Sequence, residues 1–352
     1  MNTRENFLRT VRFEHPDYIP ITVAINPACW ETYEHEQIFS MMESHPLVFP
    51  GYKRPNVFKP EYHPVARKNE PFLDDFGCLW KTSMNGITGT VVQHPLADWE
   101  NFSAWKANIP NPEICTGIGP MDWNKKKKEI DGIRKQDSLV SAGLRHGHTF
   151  LQLSDIRGYE NLLFDFADEE SRLWELMEII ENFNTGTVMR YLEIGVDTFG
   201  FPDDLGMQKG PMLSPADFRK YIKPSYERLM KPVRERGIPV HMHSDGDIRD
   251  LIDDLIDGGV DIINLQDLVN GVDYISRRLA GKTCVEIDID RQNITVFGTP
   301  DDIDKHIRYV VESIGRREGG LMMIYGWYPG TPIKNAAAVI DAMEKYSSYF
   351  NG

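Results

Sequence analysis

From residue 170 onward, apolar positions in the chain alternate between two periods. Stretches 170–193, 215–236, 248–256, one ending at Ala280, and 300–317 repeat their apolar residues with helical spacing. Each closes on glycine (Gly195, Gly237, Gly258-Gly259, Gly281, Gly319-Gly320) and leads into a short apolar run with strand character: 196–201, 238–242, 260–265, 283–287 and 321–324. Glycine is the expected residue just past a helix, since it enters the left-handed region without strain. Ile194-Gly195-Val196-Asp197 is echoed in Gly258-Gly259-Val260-Asp261, as a recurring unit would be. Helices alternating with short strands imply right-handed crossovers and a parallel sheet.

Five such units, a further strand near 138–143 and a first strand near 19–25 predict a single α/β domain over 1–352, a (β/α)8 TIM barrel. An open doubly wound sheet is the alternative; it usually carries G-x-G-x-x-G, which the chain lacks. The first 120 residues are less regular. They hold many prolines, a predicted hairpin around 78–92 and the stretch Asp74-Asp75-Phe76-Gly77. Residues 1–120 thus read as a segment capping the barrel mouth, and the lysine run 125–128 as a solvated helix face.

Composition narrows the class. Hydrophobic residues make up 41%, with seven Trp and seventeen Phe, enough for a substantial core. A net charge of −14 speaks against nucleic acid or an anionic membrane as partner. The polar opening stretch and the absence of about twenty consecutive apolar residues predict a cytoplasmic protein without signal peptide or membrane span. Cys29, Cys78, Cys115 and Cys284 are widely separated and form no C-x-x-C pair, so reduced thiols are expected.

In such a barrel the chemistry collects at the C-terminal strand ends. The polar residues there are Arg145, His146 and His148; Asp203 and Asp204; His241, His243 and Asp245; Asn264, Gln266 and Asp267; Asp288, Asp290 and Arg291; and Tyr325, Trp327 and Tyr328. The sharpest feature is His241-Met242-His243-Ser244-Asp245-Gly246. Residues two apart in an extended chain share a face, so His241, His243 and Asp245 can all point to the barrel axis. Imidazole and carboxylate suit Zn2+ or another divalent ion. The bland alternative makes His241 a satisfied core histidine and Asp245 or Asp247 a helix cap. Asp203 and Asp204 are adjacent and cannot both face the axis; Asp204 is the one assigned to chemistry. The resulting assignment gives Asp204, His243 and Asp245 catalytic roles and places a metal on His243 and Asp245. Arg145, Gln208, Gln266, Asp288, Arg291, Tyr325, Trp327 and Tyr328 are expected to line the substrate, the last three as an aromatic wall.

The sequence resembles the uroporphyrinogen decarboxylase-like superfamily, which includes that decarboxylase and the corrinoid-linked methyltransferases. The resemblance rests on Arg4-Glu5-Asn6-Phe7 with Glu14-His15-Pro16-Asp17, and on Arg157-Gly158-Tyr159-Glu160-Asn161-Leu162-Leu163. It continues through Asp203-Asp204-Leu205-Gly206, Leu213-Ser214-Pro215, His243-Ser244-Asp245-Gly246 and Gly298-Thr299-Pro300. It implies a (β/α)8 barrel over nearly the whole chain. The decarboxylase's arginine-rich M-R-Q-A-G-R signature is absent, and 21–30 stands in its place. The methyltransferases hold Zn2+ through a His-x-Cys pair and a distant Cys. His243 matches the histidine, Asp245 stands where the first cysteine would be, and Tyr325-Gly326-Trp327-Tyr328 lies near the second.

Loss of the sulfur ligands disfavours methylation of thiols. A harder His/Asp site suits activation of an oxygen leaving group, and the aromatic residues suit a methoxylated ring. The expectation is a methyltransferase that moves a methyl group from a small methylated donor to a corrinoid carried by a partner protein. It would use Zn2+ or another divalent metal, and a homodimer is compatible. The alternatives are a decarboxylase or other lyase that uses Asp204 and His243 without metal, and a binding barrel that has lost catalysis.

Overall fold

The computed structural model describes residues 3–350; Met1, Asn2, Asn351 and Gly352 lie outside the described residues, so the first two positions of the polar opening stretch do too. Among the described residues ten strands occur in chain order: β1 (Ile21–Ile25), β2 (Phe72–Leu73), β3 (Leu79–Lys81), β4 (Thr90–Gln93), β5 (Ser141–Gly143), β6 (Thr198–Pro202), β7 (Val240–Ser244), β8 (Ile262–Gln266), β9 (Cys284–Asp288) and β10 (Leu321–Trp327). Seven form one sheet in the order β1-β10-β9-β8-β7-β6-β5. The β1–β10, β10–β9, β5–β6 and β6–β7 pairs run parallel, with helices in the crossovers. This is the α/β class and the TIM-barrel-like succession of parallel strands that the glycine-punctuated pattern predicts, with seven strands in the sheet. The chain divides into two compact units, one within Met1–Glu70, Thr82–Gly89 and Asn264–Gly352, the other within Pro71–Lys81 and Thr90–Ile263.

In the first unit, helix Thr3–Arg12 is tied to the chain leading into β1 by buried Asn6. Its Oδ1 accepts from the Asp17 and Tyr18 amides, and its Nδ2 donates to the Tyr18 carbonyl. Helix Pro300–Ile314 opens on a capping box: Thr299 Oγ1 accepts from the Asp302 amide and Asp302 Oδ2 from the Thr299 amide. Its apolar face (Ile303, Ile307, Val310, Val311, Ile314) packs on helix Ile333–Ser347, which buries Ala336, Val339, Ile340 and Met343.

In the second unit, β2-β3-β4 form a small antiparallel sheet. The hairpin predicted at 78–92 is therefore β3 and β4 with a long connection and a third strand added. Helix Ser171–Ile194 ends at Gly195, whose φ of 88° takes the backbone where a side chain would be strained. The helix predicted over 215–236 runs over 215–234 with a π turn inside it: Pro215–Asp217 is a first turn capped by Ser214, Phe218–Ile222 is the π turn, and Lys223–Arg234 follows. Pro224 lacks the amide that a continuous α-helix would donate at that point, and the wider turn accommodates it.

Candidate active site

The second unit gathers three ligand-bearing side chains from three strand ends: His146 just after β5, Asp204 just after β6, and His243 on β7. One ligand atom from each lies within 4.8 Å of the others. Asp204 Oδ1 is the hub. It lies 3.3 Å from His146 Nε2 and 3.6 Å from His243 Nε2, and accepts from the Asp245 amide at 2.9 Å. The two imidazoles face each other at 5.6 Å between centroids. Burial alone would raise the Asp204 carboxyl, but the His146 bond, the two histidine charges and the Asp245 amide outweigh it and hold it at about 2. Burial lowers the pKa of His146, and the Asp204 bond with the Asp203, Asp204 and Asp245 charges reverses that, so the net shift is upward. His146 is the open side of the group, with half of its side chain exposed.

The alternation that places His243 is that of a half-buried strand. Val240, Met242 and Ser244 of β7 are buried, while His241 and His243 sit on the other face. The loops after β6 and β7 are laced together. The Asp203 amide donates to the His243 carbonyl and the Gly206 amide to the Asp245 carbonyl, at 3.0 and 3.2 Å. The Leu205 amide donates to Ser244 Oγ at 2.9 Å. This lacing needs two glycines. A Cβ on Gly246, at φ +82°, would stand 2.2 Å from the Gly206 carbonyl carbon, and one on Gly206 would stand 2.5 Å from that of Gly246.

Asp203 and Asp204 take different environments. Asp203 is fully buried. It accepts from the amides of Thr149, Phe150 and Leu151 at the start of helix Phe150–Arg157, and from the Tyr226 hydroxyl. It is a structural carboxylate, and its neighbour carries the cluster. Asp245 Oδ1 stands 3.9 Å from His243 Nε2, beside the triad and outside the close group. Asp247 pairs with Arg249 and accepts from the Gly210 amide, and the next helix, Ile252–Gly258, has no side-chain cap.

Arg145 lies alongside, buried, with its guanidinium between two carboxyls: Nη1 is 3.8 Å from Asp74 Oδ2 and Nη2 is 3.5 Å from Asp155 Oδ2. Gln208 is exposed in the loop spanned by the Gly206–Pro211 bridge. The other residues expected to line the substrate belong to the first unit. There Arg291 pairs with Asp288 at 2.8 Å and lies over the Tyr328 ring. Tyr325 and Trp327 are fully buried, Trp327 against Tyr33, and Tyr328 is part-exposed. Gln266 is buried and its carbonyl accepts from Asn270. Asp267 bonds His306, and Asp290 accepts the amides of Gln292, Asn293 and Ile294.

Sequence reasoning places His146 among the strand-end polar residues without a role and does not reach Asp155. His146 had a signal in its place after β5. Asp155 had none, because it sits inside a helix.

Residues 150–346 match the family described as Uroporphyrinogen decarboxylase (URO-D). A uroporphyrinogen decarboxylase of Thermus thermophilus is 28% identical over 266 residues, covering 74% of this chain and 73% of the relative. One from Prochlorococcus marinus is 26% identical over 170 residues, 48% of this chain and 47% of that protein. A solved structure, a methyltransferase from Methanosarcina mazei, superposes with a TM-score of 0.67 over 98% of this chain and 99% of its own at 15% identity, a likeness of fold. Among the described residues, no helix is long and apolar enough to cross a membrane. With more than half its length matched, the chain belongs to the uroporphyrinogen decarboxylase (URO-D) family.

Proposed function

We propose that this chain is a methyltransferase that moves a methyl group from a small methylated donor, such as an aromatic methyl ether, to a corrinoid protein. The observation that carries the reading is the His146–Asp204–His243 group, whose ligand atoms converge within 4.8 Å. The donor set fits a divalent ion such as Zn2+: two imidazoles, one carboxylate kept ionised, and one side open at His146. Bound there, the ion would supply Lewis acidity to an ether oxygen. The chain's own residues do the positioning. The Asp245 amide and the imidazoles orient Asp204, and the laced loops hold His243 at a fixed distance from it. Family membership and the methyltransferase-like fold support the reading.

The test is metal analysis of the purified protein together with methylation of cob(I)alamin by a panel of methyl ethers. One divalent ion per chain and donor-dependent methylation, both lost in Asp204→Asn and His243→Ala, are expected. Failure of every donor with a competent corrinoid acceptor would sink the idea. A second reading, a carboxy-lyase acting on a smaller acid, has its own support in Asp155, whose carboxyl burial pushes up to about 7 beside Arg145. Full lyase activity in a metal-free preparation would favour it.

A further inference from the structure

The Arg145 side chain is 5% exposed, yet its guanidinium is poorly satisfied. Its Nη1 makes no hydrogen bond, its Nε reaches only the His146 carbonyl at 3.4 Å, and its ion contacts are long, 3.8 Å to Asp74 and 3.5 Å to Asp155. Arginine carries donors in a planar fork that a carboxylate fits edge-on. A buried guanidinium held this loosely is an incomplete receptor.

Its two carboxyl neighbours are not equivalent. Asp74 is pinned: the Phe76 and Cys78 amides donate to Oδ1 and the Trp80 indole to Oδ2. Asp155 has no such cradle; its side chain meets Arg145 and is partly exposed. Its backbone carbonyl takes the His94 imidazole and the Cys78 thiol. We propose that Asp155 is a charge switch for Arg145: when protonated it leaves the guanidinium facing Asp74 alone, so that a small carboxylate binds Arg145 together with one proton on Asp155.

The charges agree. With both aspartates ionised the group carries one net negative charge and repels an anion; with Asp155 neutral the net charge is zero. Burial pushes the Asp155 carboxyl up to about 7, and Asp74 and Asp203 add to this while the Arg145 and His146 charges oppose it. The switch therefore turns over near neutrality, and it depends on neither a metal nor a corrinoid.

The experiment is isothermal titration calorimetry of the purified protein with benzoate, in buffers of different ionisation enthalpy, with benzamide as neutral control. Wild type is expected to take up close to one proton per benzoate at pH 8.5 and none at pH 5.5. Its affinity should fall about tenfold per pH unit above pH 7, to about one-thirtieth at pH 8.5. Asp155→Asn should bind benzoate with uptake abolished and that pH dependence flattened, whereas His146→Gln should keep both. Absence of benzoate binding, benzamide binding equally well, or uptake that survives in Asp155→Asn would overturn the proposal. Should Asp155→Asn not fold, uptake by wild type that persists in His146→Gln and vanishes in Arg145→Gln supports it, and any other pattern overturns it. Because only binding and protons are read, failure here leaves the methyl-transfer reading standing, and the converse holds.

Discussion

Adjacent aspartates with opposite jobs make a sharp prediction. Asp203 receives three backbone amides and a tyrosine hydroxyl, at 3.2, 2.7, 3.1 and 2.7 Å, with no access to water. Asp203→Ala strands those four donors at once. Each buried donor left without a partner costs about 1–3 kcal/mol, so the total is on the order of 5 kcal/mol. Asp203→Asn keeps one acceptor oxygen. Its best orientation loses the Leu151 bond alone, a cost of about 2–3 kcal/mol. For a chain of 352 residues, unfolding entropy of about 2.1 cal/mol/K per residue makes about 5 kcal/mol equivalent to roughly 7 °C in Tm. Asp204→Asn, at a partly exposed site whose bonds serve the imidazoles, should cost below about 1 kcal/mol. It should nevertheless abolish metal binding. Thermal unfolding and metal content, measured on the same three proteins, separate the roles. Equal Tm losses in Asp203→Ala and Asp204→Asn, or a wild-type Tm in Asp203→Ala, would refute the assignment.

Asp155 predicts a pH dependence of stability. Its carboxyl is raised from 3.8 to about 7 in the folded chain, so its contribution is complete below 3.8 and is lost as pH rises through 7. Relative to Asp155→Asn, wild type should lose up to about 4 kcal/mol between pH 4 and pH 8 in urea unfolding, and parallel curves would count against it. Gly246→Ala would press a Cβ to 2.2 Å from the Gly206 carbonyl carbon at φ +82°, and should cost more than about 2 kcal/mol while weakening metal binding. All four cysteines are buried and free, and burial raises Cys29 to about 12 and Cys78 further. A thiol reagent should find none of the four in the native protein and all four after denaturation; rapid native labelling would contradict the burial.

The barrel-type succession was legible in the sequence because glycine ends and two apolar periods are local signals. The argument that two adjacent carboxylates cannot share a face agrees with their separate environments, Asp203 buried among backbone amides and Asp204 beside the two imidazoles. The resemblance motifs proved a mixture. Asn6, Arg157, Ser214 and Thr299 tie helices in place, Arg157 through a buried pair with Asp165. Asp204 and His243 come from the same motifs and stand at the cluster. What sequence could not supply was the meeting of distant residues. His146 joins the group because β5, β6 and β7 are neighbours, and Asp155 gains its raised carboxyl from burial, helped by an aspartate on another strand's turn and opposed by a guanidinium ten residues earlier. The helix predicted over 215–236 forms over 215–234, and the π turn inside it has a local reason in the sequence, Pro224.

The lacing of the loops after β6 and β7 has a mechanical consequence. Asp204 and His243 belong to a single plate, cross-bonded through Ser244, Asp245 and Gly206, so neither can swing without shearing the other loop. His146, half-exposed, rides on the segment after β5, which is itself bonded to the loop after β6: the Gly147 amide donates to the Pro202 carbonyl and the Thr149, Phe150 and Leu151 amides to Asp203. The three ligand-bearing residues thus ride on loops bonded to one another, so a substitution that disturbs any one loop should displace ligand atoms carried by the others, and the cluster should be kept or lost as a whole.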